Sequence, residues 1–327
     1  MRHLLSRPAR VLLAAALAAT VSAAGTVAGQ GDGAAREAFV TNQTGDSLSI
    51  VDLAAGSAVR EIRIGGKPAG IAMAPDGRFA YVTSPESKEL VVVDAKERTV
   101  AARLKVGQGP LGIAVHPAGD RVYVADWYEH KLFVVDPAAG KVTGAVEVGE
   151  SPSGVAVTAD GTRILTADRD SNSVSLIDAA TLTRTGSIDV GKRPFGITVD
   201  AEGRRAYTAN VASDDVSVID IAAGKVIGTV KAGHRPYAVA LAAGKGFVTD
   251  QYGGTVTVFD VETLEVLKTV EVGEYPEGIE ADPTGKAVYV ACWDANTLER
   301  IDTATLEVTA RIPVGNGPRA FGRFLRN

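Results

Sequence analysis

The chain is poor in the residues that most often carry chemistry. It has one cysteine, Cys292, four histidines, two tryptophans and two methionines in 327 residues. A lone cysteine excludes an internal disulfide framework and any multi-cysteine metal site. Four histidines, one of them His3 at the extreme N-terminus, leave little for a zinc or copper centre. No metal or other cofactor is therefore predicted. Beyond residue 24 there is no long apolar run; each valine-rich stretch is cut by a charge or a glycine within about ten residues, as strands require. Positive charge is not in excess, since the formal net charge is −5. That balance speaks against general polyanion binding, which depends on clustered lysine and arginine. Gly-x-Ser-x-Gly and His-Glu-x-x-His are absent, and no glycine loop stands between a strand and a helix to cradle phosphate.

The first residues read as an export signal. Arg2, Arg7 and Arg10 precede Val11–Ala24, which is almost entirely alanine, leucine and valine. Small residues then offer cleavage after Ala23, Ala24 or Gly29. The apolar stretch is shorter than the roughly 20 residues a bilayer span needs. With no adjacent arginine pair, the general export route is favoured. The expected organisation is a signal peptide over 1–29, a short linker over 30–35 and one domain over 36–327. The mature protein is expected in the periplasm or outside the cell, as a monomer with no membrane span. Loss of the signal's three arginines takes the formal charge from −5 to −8.

What the chain has is repetition. Aspartate recurs at Asp52, Asp94, Asp136, Asp178, Asp220, Asp260 and Asp302, in steps of 42 residues with one of 40. A glycine three residues before a proline keeps the same phase, from Gly65/Pro68 through Gly191/Pro194 to Gly315/Pro318. Each unit holds four short runs rich in valine, isoleucine and tyrosine, punctuated by turns such as Pro75-Asp76-Gly77. Four strands per unit and seven units predict an all-β, seven-bladed propeller with four-stranded antiparallel blades. In propeller repeats of this kind the run after Gly-x-x-Pro is expected to be the innermost strand. The first unit lacks that strand and the chain ends with it, at Arg319–Leu325, so the two termini are expected to complete one mixed blade and close the ring.

Ala38-Phe39-Val40-Thr41-Asn42, Ser49-Ile50-Val51-Asp52, Ile64-Gly65 to Pro68 and Pro75-Asp76-Gly77 resemble the YVTN-type propeller repeat. The resemblance runs over residues 36–327 and implies the fold. It leaves function open, because similar propellers include periplasmic and cell-surface proteins and relatives of cofactor-bearing ones. Unit four departs from the motif at Ile164-Leu165-Thr166-Ala167-Asp168, and unit six is two residues short within Ala242–Phe247.

A residue present in every unit serves the unit, so the seven aspartates are expected to accept backbone N–H bonds in turns. Function belongs where the units differ. The residues just after the marker prolines (Ala69, Leu111, Ser153, Phe195, Tyr237, Glu277 and Arg319) are expected to ring the channel mouth. Lys192-Arg193-Pro194-Phe195 and His234-Arg235-Pro236-Tyr237 set two cation–aromatic clusters side by side, with Tyr275 and Glu277 beyond them. Arginine can grip a carboxylate bidentately while a ring stacks a planar group. These residues, with Arg319, predict an anionic or zwitterionic ligand site over units four and five. Trp127 and Trp293 share a repeat position, with Tyr128 and Tyr252 in register nearby, and are expected to contact a partner. Cys292 replaces a polar strand-end residue of the other units and is expected to be partly exposed, without the neighbouring base a nucleophile needs.

The reading favoured by these residues is a non-catalytic exported binding protein for a partner protein, a peptide or a small anionic ligand. Its alternatives are a lactonase-like hydrolase, an accessory component of a periplasmic oxidoreductase, and a single-stranded nucleic-acid binder, the last opposed by the net charge.

Overall fold

The computed structural model describes residues 35–327; the expected signal peptide and all of the linker but Ala35 lie outside them. Every regular element described is a strand, and the strands form seven sheets in a ring. No helix among the described residues is long and apolar enough to cross a membrane. In the third blade the strands are Pro110–Val115, Val122–Asp126, Lys131–Asp136 and Lys141–Glu147, ordered from the channel outward in chain order. Blades four to seven repeat this antiparallel arrangement, beginning at Pro152, Pro194, Pro236 and Pro276. Unit six accommodates its deletion by joining Pro236–Ala242 to Lys245–Asp250 through Ala243-Gly244, both with positive φ, a two-residue turn that suits the twist of the paired strands.

Burial follows depth in the blade. The second and third strands are almost wholly buried between neighbouring blades, as at Phe39, Val40, Leu48 and Ile50. The outermost strands are mostly exposed, save for one residue that tucks against the core, such as Ile62, Val146 or Ile188. The recurring aspartates behave as expected: Asp52 Oδ1 accepts from Ala54 N at 2.9 Å and Ala55 N at 2.8 Å, and Asp302 Oδ1 from Ala304 N and Thr305 N. These N–H donors hold the carboxyls of Asp178, Asp260 and Asp302 below their ordinary range.

Two further repeat residues tie blade to blade. The threonine of the Val-Thr-Asn run donates to the next inner strand, Thr41 Oγ1 to Ala69 O at 2.9 Å and Thr83 Oγ1 to Leu111 O at 2.6 Å. The glycine two places after the marker proline lets inner strands approach closely. A Cβ on Gly112 would stand 1.7 Å from Ser153 O, and one on Gly154 2.5 Å from Phe195 O.

The termini close the ring, with one departure from the expected frame. Leu325–Arg326 pairs antiparallel with Glu37–Asn42, and Asn42 bridges to Pro318 at the other end. Between those contacts the closing strand swings across, and Phe321–Arg323 pairs in parallel with Gly70–Met73 of the next blade. Inner strands all run the same way round the channel, so such an excursion can only be parallel. It is held by Glu280, whose Oε2 accepts from Phe324 N at 2.5 Å and Leu325 N at 2.7 Å. Gly322 permits it, because at φ 127° a Cβ there would meet Ile71 O at 2.3 Å. A charged clamp completes the closure: Glu37 accepts from Arg98 at 2.7 Å and from Arg326 at 2.6 Å.

Candidate functional site

Loops from all blades meet on one face of the ring. There the backbone N–H of the residue after the Val-Thr-Asn run bonds to the Gly-x-x-Pro loop of its blade in six blades, as in Trp127 N to Gly109 O and Trp293 N to Tyr275 O; in the second blade that residue is Pro85, which has no N–H, and Glu86 N bonds to Gly66 O instead. The residue before the marker proline is left-handed in six blades: Lys67, Ser151, Arg193, Arg235 and Tyr275 have φ between 51° and 62°, and Gly317 has φ 65°. Side chains 21 residues upstream capture the N–H of five of these, Asp46 for Lys67, His130 for Ser151, Asn172 for Arg193, Asp214 for Arg235 and Asn296 for Gly317. The rim is thus a set of rigid brackets, and His130 is one of their parts.

The seven residues after the prolines do not line an open mouth. Ala69, Leu111, Ser153, Phe195, Tyr237 and Glu277 are buried, and Arg319 is nearly so. The rings of Phe195, Tyr237 and Phe321 come from different inner strands and pack with centroids 4.4–5.7 Å apart, closing the upper end of the channel. Arg319 donates from Nε and Nη2 to the Tyr237 hydroxyl, the Nε contact being 2.9 Å, and pairs with Glu277 Oε2 at 3.1 Å. Gln251 Nε2 donates to Glu277 Oε1 at 2.6 Å. Burial pushes the Glu277 carboxyl up while Arg319 opposes the shift; burial also raises Tyr237, and the partners Tyr237 and Glu277 keep Arg319 charged against burial.

The remaining sequence-predicted residues separate into two arcs. Lys192 and Arg193 stand exposed, beside a second group in which the rings of His234, Tyr252, Tyr275 and Trp293 run edge to face, 5.5–6.3 Å apart. Arg235 is engaged within this group, stacked 4.5 Å over Tyr252 and donating Nη1 to its hydroxyl at 2.6 Å. The two cation–aromatic clusters over units four and five therefore do not share one cavity: Tyr237 belongs to the interior, Arg235 is already paired, and of these residues Phe195 alone reaches a concavity. The concavity lies across the ring on blades one to three. It is a hollow of about 510 Å³, with Trp127, Tyr128, Leu111 and Phe195 as apolar wall. Lys67, Glu86, Gln43 and Thr44 supply polar groups, and Arg319 reaches it from the closing strand. Trp127 sits 6.3 Å from Phe195, with Arg169 stacked 5.2 Å over its ring. A smaller groove of about 260 Å³ at the outer edge of blades four and five carries one charge, Arg163, and no aromatic ring.

Gln43, Thr44, Lys67 and Glu86 were not singled out from sequence, yet a signal was present. Gln43-Thr44, Pro85-Glu86 and Trp127-Tyr128 occupy the same two repeat positions in three successive blades, so the positions that marked the tryptophan marked the others too.

Cys292 corrects its expectation. It is fully buried, and burial reinforced by the charge of Glu299 pushes its thiol far up. Its counterparts Asn42, Ser84, Asp126, Asp168, Asn210 and Asp250 are also fully buried. Most are polar because buried loop groups need partners; Asp126 Oδ2 accepts from Gln108 N and Gly109 N, both at 2.7 Å. Asp250 accepts from Gly233 N, Thr255 and Thr257, yet burial holds its carboxyl above the usual range. A carboxyl raised by folding stabilises below its unfolded value, about 4, and that contribution is lost as pH rises through the folded value. Asp250→Asn, which copies Asn42 and Asn210, is therefore expected to gain on the wild type between pH 4 and pH 7. Urea midpoints at both pH values check this; an unchanged difference between the two proteins would contradict it.

Among the described residues, no three His, Cys, Asp or Glu side chains converge as metal ligands. The family model of YNCE-like beta-propellers matches residues 15–116, and the seven-sheet ring extends the same repeat to residue 326. The chain is a seven-bladed β-propeller whose repeat is similar to that family's. No curated protein matches its sequence. Solved structures similar to the propeller include Kuenenia stuttgartiensis hydrazine synthase, with TM-score 0.72 and 21% identity over 78% of this chain and 89% of that one. A functionally unknown protein from Desulfotomaculum acetoxidans DSM 771 has TM-score 0.75 and 16% identity over 88% of this chain and 100% of the other. The dihydro-heme d1 dehydrogenase NirN, solved in complex with DHE, has TM-score 0.66 and 17% identity over 86% and 74%. At these identities the likeness is one of fold.

Proposed function

We propose that this propeller is an exported binding protein whose ligand, a peptide or small anionic molecule, seats in the hollow on blades one to three. One observation carries the reading: the side chains that differ between units at a shared pair of positions are the ones that wall the hollow. Uniform repeat residues build the ring, and one-off residues over it are free to serve recognition. The hollow's size falls in the range of small-molecule sites, and its composition, mostly apolar with a few directed polar groups, suits that use. Trp127 offers a broad face and Arg319 a charge held in place by Tyr237 and Glu277, so little ordering remains to be done on binding. The channel below is closed by Phe195, Tyr237 and Phe321, which makes the hollow a blind cup.

A thermal-shift screen of the mature protein against small carboxylates and short peptides tests this. Trp127→Ala and Lys67→Ala are each expected to weaken any ligand found by at least tenfold, while Lys192→Ala with Arg193→Ala changes affinity less than twofold. The opposite pattern would move the site to the exposed rim of units four and five. The mass of the protein recovered from the cell exterior reports export and the cleavage point; retention of residues 1–29 in the cytosol would refute that part.

A further inference from the structure

The charges around the hollow narrow the ligand class, resting on the reading that the hollow is the binding site. Its wall carries two cations, and each has a carboxylate of its own. Arg319 is matched by Glu277 at 3.1 Å, and Lys67 lies 3.9 Å from Asp46. The wall therefore carries no surplus of positive charge, which disfavours phosphates and other multiply charged anions. Glu86 differs. It is exposed on the same wall, and among the described residues its carboxylate has no ion-pair partner. Beside these charges stand Trp127 and Tyr128, the latter 69% exposed, with Phe195 and Leu111 beneath. A guest that satisfies every part of this wall has an ammonium for Glu86, one carboxylate for Arg319 and Lys67, and an aromatic or bulky apolar group for the rings.

We propose that the hollow selects a zwitterion bearing an aromatic side chain, an α-amino acid or the whole of a very short peptide, and that Glu86 reads its ammonium. The volume of about 510 Å³ leaves room for a dipeptide and excludes a long one lying wholly inside. Because ammonium and carboxylate are read on different residues, blocking either end removes one contact and leaves the other.

The test is isothermal titration calorimetry with L-phenylalanine and L-alanyl-L-phenylalanine, each in free, N-acetylated and C-amidated form. At least one free form is expected to bind, acetylation and amidation each weakening it by at least tenfold. The two free forms distinguish the amino acid from the peptide as the guest. Glu86→Gln, a change at an exposed side chain, is expected to bring the free form down to the affinity of the acetylated one and leave the penalty for amidation in place. If the blocked forms bind as tightly as the free ones and Trp127→Ala abolishes that binding, the hollow is the site and the zwitterion assignment is overturned. If no form binds, or if Trp127→Ala leaves binding unchanged, the zwitterion assignment falls, and the second result also removes the hollow as the site.

Discussion

Deletion of residues 318–327 is expected to leave a chain that aggregates or melts far below the intact protein. Three consequences act together. Phe321, Phe324 and Leu325 leave the core, and a buried apolar side chain contributes roughly 1.5–3 kcal/mol each. That sum is comparable to the whole stability of a typical domain, about 5–15 kcal/mol. The charged clamp on Glu37 loses Arg326. Most of all, the strand Glu37–Asn42 loses its inner partner and becomes an unpaired edge, a template for pairing with other copies. Size-exclusion chromatography and thermal melting of the truncated protein check the prediction. A monomer with an unchanged melting temperature would show that the closing strand is dispensable and that the ring is held by blade packing alone.

Gly112→Ala is expected to be the most damaging single-methyl change in the inner ring. Its Cβ would fall 1.7 Å from the carbonyl oxygen of Ser153, a backbone atom of the next blade that cannot rotate aside. The strands must separate or the blade must tilt, and either disturbs packing on both sides. Overpacking of a rigid core costs on the order of 3 kcal/mol or more, a drop in melting temperature of roughly 6 °C in a chain of this size. Ala238 occupies the equivalent place between blades six and seven, so the reverse change, Ala238→Gly, serves as the control and is expected to cost much less. Equal melting of Gly112→Ala and the wild type would mean that the inner strands are not packed as closely as described.

The fold was legible because the sequence states it seven times over. Strand positions, the turn aspartates and the completion of the ring by Arg319–Leu325 all follow from features that recur, and recurring features report scaffold. What could not be read were quantities that depend on how one blade leans on another. Polarity at the Cys292 position suggested exposure, whereas Asp126 and Asp250 are polar because buried N–H groups and hydroxyls surround them. Arg193 and Arg235 have equivalent places in the repeat, yet one is exposed and the other is stacked on Tyr252, a difference made by a neighbour 17 residues away in sequence from Arg235. The aromatic pair Trp127-Tyr128 was identified without its setting. That it borders a hollow, while Tyr252 and Trp293 belong to the edge-to-face arc, goes with the non-aromatic residues Gln43, Thr44 and Pro85 in the same positions of adjoining blades. The excursion of Phe321–Arg323 onto the next blade turns on Glu280, a one-off acid on an inner strand.

The hollow sits on the seam where the chain's ends meet, with Gln43 and Thr44 on one side and Arg319 on the other. A ligand there contacts the closing strand directly, so occupancy and closure must stabilise each other. Amide hydrogen exchange at Phe39, which donates to Phe324 O at 2.8 Å, and at Arg319, which donates to Thr41 O at 2.7 Å, measures both at once. The account predicts that these amides exchange as slowly as those of the inner strands of blades three and four, and more slowly still with a bound zwitterion. Exchange at the rate of exposed loops, with or without ligand, would contradict it.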